Sequence, residues 1–136
     1  LVEQGTAFSL LSLDIDFFKK VNDTFGHNVG DDVLKQQTNI MNRFSRTEDM
    51  VARTGGEEFV LLLKGAAIED AIIVAERLRE AVSKENFDTV GHITVSIGVV
   101  AWDAHNQISI KKTLLSVDEA LYEAKRQGRN RCVVGK

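Results

Sequence analysis

Apolar and polar positions along this chain repeat with two different periods, and the switches between them outline the fold. Ala7 to Leu13 is an almost unbroken apolar run that predicts a buried strand. Phe17 to Phe25 predicts a short helix, and residues 30 to 44 a longer one with Val33, Leu34, Ile40, Met41 and Phe44 on one face. Met50 to Arg53 reads as a short strand and Phe59 to Leu63 as a buried one, which together make a hairpin over residues 50 to 63. Ile68, Ala71, Ile72, Ala75, Leu78 and Val82 recur at helical spacing, and Ile93 to Ala101 is β-rich. Ser116 followed by Glu119 has the form of a capping box, predicting a helix over about 117 to 127 that stops at Gly128. Val133 and Val134 close the chain as a strand. Strands interleaved with helices give an α/β or α+β sandwich with an antiparallel hairpin at its centre.

The chemistry concentrates at two acidic points of this frame. Gly55-Gly56-Glu57-Glu58-Phe59 places two glycines, which permit a tight turn, ahead of two adjacent carboxylates on a strand-bounded tip. Two such charges repel by roughly 4 kcal/mol at 4 Å and an effective dielectric of about 20, unless a cation or a shared proton relieves them. The pair also fits a solvated hairpin tip. The second point is Asp14-Ile15-Asp16, where the first apolar strand leaves the core. Asp16 suits a helix N-cap ahead of Phe17, whereas Asp14 lies one step deeper in the apolar run and does not. Asp14 with Glu57 or Glu58 would offer the oxygen ligands that a hard cation such as Mg2+ takes.

Five blocks in order then resemble one family. They are Asp14-Ile15-Asp16-Phe17-Phe18-Lys19-Lys20-Val21-Asn22-Asp23; Phe25-Gly26-His27 with Gly30-Asp31; Arg53 with Gly55 to Phe59; Val95-Ser96-Ile97-Gly98-Val99; and Ala120-Leu121-Tyr122 with Ala124-Lys125 and Gly128-Arg129-Asn130. The chain resembles, from end to end, the GGDEF domain of diguanylate cyclases. The resemblance implies a ferredoxin-like βααββαβ core with an extra hairpin, as in adenylyl cyclase catalytic domains and polymerase palms. It also implies condensation of two GTP into cyclic di-GMP.

The resemblance carries roles residue by residue. Asp14, the backbone carbonyl of Ile15, Glu57 and Glu58 would hold two Mg2+ ions, with Mn2+ as a substitute, and Glu57 is the usual candidate for helping deprotonate the attacking 3'-hydroxyl. Phe17, Phe18 and Lys19 would offer backbone N–H groups to phosphate at a helix start, and Lys125 and Arg129, one helical turn apart, would reach the outer phosphates. As a basic helix end, that pair also suits the macrodipole. Guanine would be read by Asn22 and Asp31, because its N1–H and N2 amino group form a donor pair that adenine lacks. Asp31 equally fits a first-turn helix acid, and His27, a loop histidine before Gly30, fits either a structural or a substrate-binding place. Arg46-Thr47-Glu48-Asp49 precedes Gly55 by the five residues Met50 to Thr54, matching the family's R-x-x-D site, at which Arg46 and Asp49 would bind product and inhibit. Such a string is also an ordinary surface pair.

Composition narrows the alternatives. The 136 residues fit a single domain, with 43% hydrophobic residues to build a core. A net charge of −3, from 17 basic and 20 acidic residues, argues against binding a nucleic-acid polymer through bulk positive charge. The one cysteine, Cys132, allows no internal disulfide and suits core packing in a reducing cytoplasm. No apolar run approaches a membrane span. The chain starts at Leu1 without methionine, so residues 1–136 read as a catalytic domain truncated at its N-terminus. Its parent would be cytoplasmic or membrane-anchored, with an upstream input domain bringing two copies together. The alternatives are a non-catalytic module that senses GTP or cyclic di-GMP, which would not need the full acidic set, and a maker of mixed cyclic dinucleotides, which a residue other than Asp at position 31 would have favoured.

Overall fold

The structure is a computed structural model that describes residues 7–103 and 108–136. The elements run β1 (Ala7–Ile15), α1 (Phe18–Phe25), α2 (His27–Arg43), β2 (Met50–Gly55), β3 (Glu58–Lys64), α3 (Ile68–Lys84), β4 (Val95–Asp103), α4 (Ile110–Arg126) and β5 (Cys132–Val134). The strands form one sheet in the order β2-β3-β1-β4-β5. β1, the central strand, is antiparallel to both β3 and β4, and β5 runs parallel to β4. The first four strands and the helices between them reproduce the βααββαβ core. The hairpin β2–β3, expected at the centre, flanks the sheet with β2 as its edge. In the chain between α3 and β4, Phe87 and Gly91 form a single antiparallel bridge.

β1 is largely apolar and almost wholly buried because both faces are covered. Leu11, Leu13 and Ile15 join Phe59, Leu61, Leu63, Val95, Ile97 and Val99 in the main core, closed by residues of α1, α2 and α3. Leu10 and Val100 face the other way and pack with Val117 of α4. Alternation along β1 therefore puts Leu10, Ser12 and Asp14 on the α4 side of the sheet. α4 lies very close to that side: a Cβ on Gly98, in the middle of β4, would stand 2.5 Å from the Val117 carbonyl oxygen and 2.6 Å from the Leu121 nitrogen.

Two helices start earlier than the sequence predicts. α2 begins at His27, so Gly30 and Asp31 lie inside it, and Asp31 is past the first turn. α4 begins at Ile110, capped by Ser109, whose hydroxyl accepts from the Lys112 N–H at 3.1 Å. Ser116 is thus mid-helix and caps nothing; its hydroxyl donates to the Lys136 carbonyl at 2.7 Å. Gly128 does end α4, with φ +125, and the N–H groups of Gly128 and Arg129 return to the Lys125 and Ala124 carbonyls in a Schellman arrangement.

Candidate functional site

The acidic points converge because β1 and β3 are neighbours in register. Asp14 is paired with Glu58 across the sheet, and directly paired residues present their side chains on one face. Glu57 lies in the turn just before, and its carbonyl accepts from the Ile15 N–H at 3.4 Å. The turn is tight because Gly56 adopts φ +41, in the left-handed region that glycine enters freely. Asp14 is only 5% exposed, Glu57 is half-buried and Glu58 is exposed.

The nearest cation comes from α4. The Lys125 ammonium donates to the Asp14 carboxylate as a hydrogen-bonded ion pair. Burial pushes the Asp14 carboxyl above its ordinary range; Lys125 pulls it back by hydrogen bond and charge, Glu57 and Glu58 push it up again, and the net shift is upward. Lys125 is thus paired with Asp14, and Glu57 and Glu58 add negative charge beside that pair. Among the described residues, no group of three or more His, Cys, Asp or Glu side chains stands close enough to hold an ion unaided. The donor set is nonetheless all hard oxygen with surplus negative charge, which fits Mg2+.

Beside these residues opens a cleft of about 460 Å³. Its walls include Asp14, Ile15 and Glu57 on the sheet side, Phe17, Phe18 and Lys19 at the start of α1, and Lys125 with Arg129 from the end of α4. Phe17 precedes α1 in a left-handed conformation, φ 58, with no side-chain cap, and the Arg129 guanidinium lies 4.6 Å from its ring centroid. Asp16 is therefore not the N-cap that its position suggests. It is buried, accepting hydrogen bonds from Thr94 and Ser96 hydroxyls at 2.6 Å each and from the Asn130 N–H at 3.0 Å. Asp16, Lys20 and Asp23 also line the cleft and were not among the sequence candidates. Lys20 and Asp23 lie in the same short helix as Lys19, and that proximity was the available signal.

Asn22, His27 and Asp31 are not part of the cleft lining: Asn22 lies in α1, and His27 and Asp31 lie in α2. The Asn22 amide presses on Gly30, where a Cβ would stand 1.9 Å from its oxygen, and the Phe18 ring reaches the same point at 3.3 Å. Phe18 thus touches both the cleft and the α1–α2 contact at Gly30. Asp31 and His27 are exposed at the start of α2. Arg46 and Asp49 occupy a separate turn ahead of β2. Asp49 accepts from the Arg46 backbone N–H at 2.8 Å, from its guanidinium at 3.2 Å and from the Lys64 N–H at 3.1 Å, while Arg46 donates to the Lys64 carbonyl at 2.7 Å. Burial pushes the Asp49 carboxyl up, but these bonds outweigh it and hold it below its ordinary range.

Comparison with known proteins is decisive at this point, because the profile described as "Diguanylate cyclase, GGDEF domain" matches residues 2–131. The chain belongs to the GGDEF family. It is 40% identical over 137 residues to diguanylate cyclase A of Treponema denticola, covering 98% of this chain and 37% of that protein. The chain thus spans little more than a third of that relative's length. Among solved structures it resembles the active GGEEF domain of a diguanylate cyclase from Vibrio cholerae, with a TM-score of 0.88 at 36% identity over 96% of this chain and 83% of that one. That name carries the same five letters as Gly55 to Phe59 here. The GGDEF domain of DgcB from Caulobacter crescentus, solved in complex with c-di-GMP, has a TM-score of 0.86 at 34% identity over 95% of this chain and 78% of that one. Among the described residues no helix is long and apolar enough to cross a membrane.

Proposed function

We propose that this GGDEF chain is the catalytic domain of a diguanylate cyclase and condenses two GTP into cyclic di-GMP, releasing two pyrophosphates. The observation that carries the reading is the Asp14–Glu58 pair in sheet register, with Glu57 beside it, next to a cleft that Asp14 and Glu57 line and that Lys125 of α4 and Arg129 of the turn after it enter from the other side. Acid on one wall and base on the other is what a metal-bound triphosphate requires.

In this reading the N–H groups of Phe17, Phe18 and Lys19 meet phosphate oxygens at the start of α1. Lys125 exchanges its bond to Asp14 for the outer phosphates, a move its flexible four-carbon stem allows, and Arg129 joins it there. Asp14, the Ile15 carbonyl, Glu57 and Glu58 are the groups that would hold two Mg2+ ions, or Mn2+, whose chemistry when bound is to neutralise the triphosphate and polarise the α-phosphorus. Glu57 takes the proton of the 3'-hydroxyl as that oxygen bonds to the α-phosphorus and the bond to the β-phosphate oxygen breaks. Pyrophosphate carries away the electron pair. Asn22 and Asp31 accept from the guanine N1–H and N2 amino group, and each well-placed pair of bonds supplies roughly 1–3 kcal/mol of discrimination against adenine. His27 stands at the rim of that base site.

One site holds one GTP, so the second must come from a facing copy. The domain therefore acts as a homodimer, brought together by an input region of a longer protein. Product binds back at Arg46 and Asp49, where the guanidinium can leave its partner for a phosphodiester. Incubation with GTP and Mg2+, followed by mass identification of the nucleotides, tests the reading. Cyclic di-GMP and pyrophosphate are expected; GTP recovered unchanged, or GDP as the sole product, would overturn it.

A further inference from the structure

Asp16 is a buried carboxylate whose hydrogen-bond partners are all neutral. Thr94 and Ser96 donate their hydroxyls and Asn130 its backbone N–H, and the Asp16 N–H itself donates to the Thr94 carbonyl at 2.9 Å. Burying a carboxylate without a paired cation costs stability, so its presence beside the cleft calls for a reason beyond packing. The Asn130 bond supplies one. Gly128, Arg129 and Asn130 have φ values of +125, +66 and +47, and the latter two are left-handed residues with side chains. Such conformations are costly for residues with a Cβ and persist only where their surroundings fix them. The bond from Asn130 to Asp16 fixes this turn from the β1 side, while Arg79 holds the Asn130 side-chain oxygen at 3.0 Å from the α3 side.

We propose that Asp16 is a positioning residue for substrate, holding the Gly128–Asn130 turn in its left-handed path so that Arg129 is presented over Phe17 to the triphosphate. This rests on the reading of the cleft as a GTP site. The geometry also says what the clamp needs. One carboxylate oxygen receives Thr94 and Asn130 while the other receives Ser96, whose hydroxyl can equally accept. An asparagine with its oxygen toward Asn130 and its amide toward Ser96 would preserve every bond, whereas an alanine would preserve none.

The test is a double-mutant cycle read by calorimetry with a non-hydrolysable GTP analogue and Mg2+. Asp16→Ala is expected to weaken binding about tenfold, the value of one charge-assisted bond. In an Arg129→Ala background the same change is expected to cost less than about twofold, because both act through one guanidinium. Asp16→Asn is expected to stay within about threefold of wild type, since a neutral acceptor keeps the geometry at roughly half the strength. A cycle in which the two losses multiply would overturn the proposal, and so would an Asp16→Asn variant as weak as Asp16→Ala. Amide exchange of Asn130 in the unaltered chain needs no variant: protection is expected, and exchange at the rate of an open turn would overturn the clamp. A wild-type chain that binds no analogue while Asn130 is protected would overturn the GTP reading and, with it, the substrate role of the clamp, but not the clamp itself.

Discussion

Gly98→Ala tests how the fold places the cationic wall of the site. The added Cβ would lie 2.5 Å from the Val117 carbonyl oxygen, 2.6 Å from the Leu121 nitrogen and 3.1 Å from the Ala120 carbonyl carbon. All three are backbone atoms of one helix, so no rotamer change relieves the clash. Since carbon contacts are comfortable only near 3.5 Å, α4 must retreat by about 1 Å. That opens the seam where Val117, Ala120, Leu121 and Ala124 are buried. Overpacking of this kind costs about 1–3 kcal/mol, or roughly 3–12 °C in Tm for a domain of this size. The same displacement carries Lys125 and Arg129 away from Asp14, and a misplacement of about 1 Å can cost about 100-fold in rate. Urea melts give the stability and GTP turnover gives the rate. A variant within about 0.5 kcal/mol of wild type and fully active would refute the claim that α4 rests on the β4 backbone at Gly98.

Four substitutions address the assigned roles. Asp14→Ala and Glu58→Ala should each lower turnover about 100-fold or more while leaving urea melts cooperative, and a variant keeping more than about a tenth of wild-type activity would remove that residue from the metal set. Asp31→Ser should lower GTP use and relax selectivity towards ATP, as competition between the two nucleotides would report; an unchanged preference would move base recognition elsewhere. Arg46→Ala should raise turnover late in the reaction, when product has accumulated, and leave initial rates nearly unaltered. Calorimetry showing undiminished cyclic di-GMP binding in that variant would reduce Arg46 and Asp49 to a surface pair.

Strands and acidic clusters were legible because their signals are local. The apolar run ending at Asp14 and the Gly55–Gly56 turn sit where β1 and the hairpin tip were expected, and the family resemblance anticipated the βααββαβ core that periodicity alone left open. The errors arose where a local rule met a tertiary contact. Gly30 reads as a helix boundary, yet it lies inside α2 because Asn22 needs the space a Cβ would fill. Ser116 and Glu119 imitate a capping box, yet Ser109 caps α4. Ile110, Leu114 and Leu115 are exposed on the extra turns, and this blurred the amphipathic pattern that would have extended the helix. Asp16 has an N-cap's position, but its partners come from Thr94 just before β4, from Ser96 in β4 and from the turn after α4. No sequence window of helical length contains residues 16, 96 and 130 together.

The central claim is that two copies of this site must face each other to make cyclic product. Specific activity with GTP and Mg2+, followed across a protein dilution series with light scattering in parallel, tests it most directly, alongside the same chain fused to a parallel coiled coil. The account predicts that specific activity rises with concentration, and that the fusion is far more active and independent of dilution, because tethering supplies about millimolar effective concentration. High specific activity, constant over a range in which scattering detects only monomer, would contradict it.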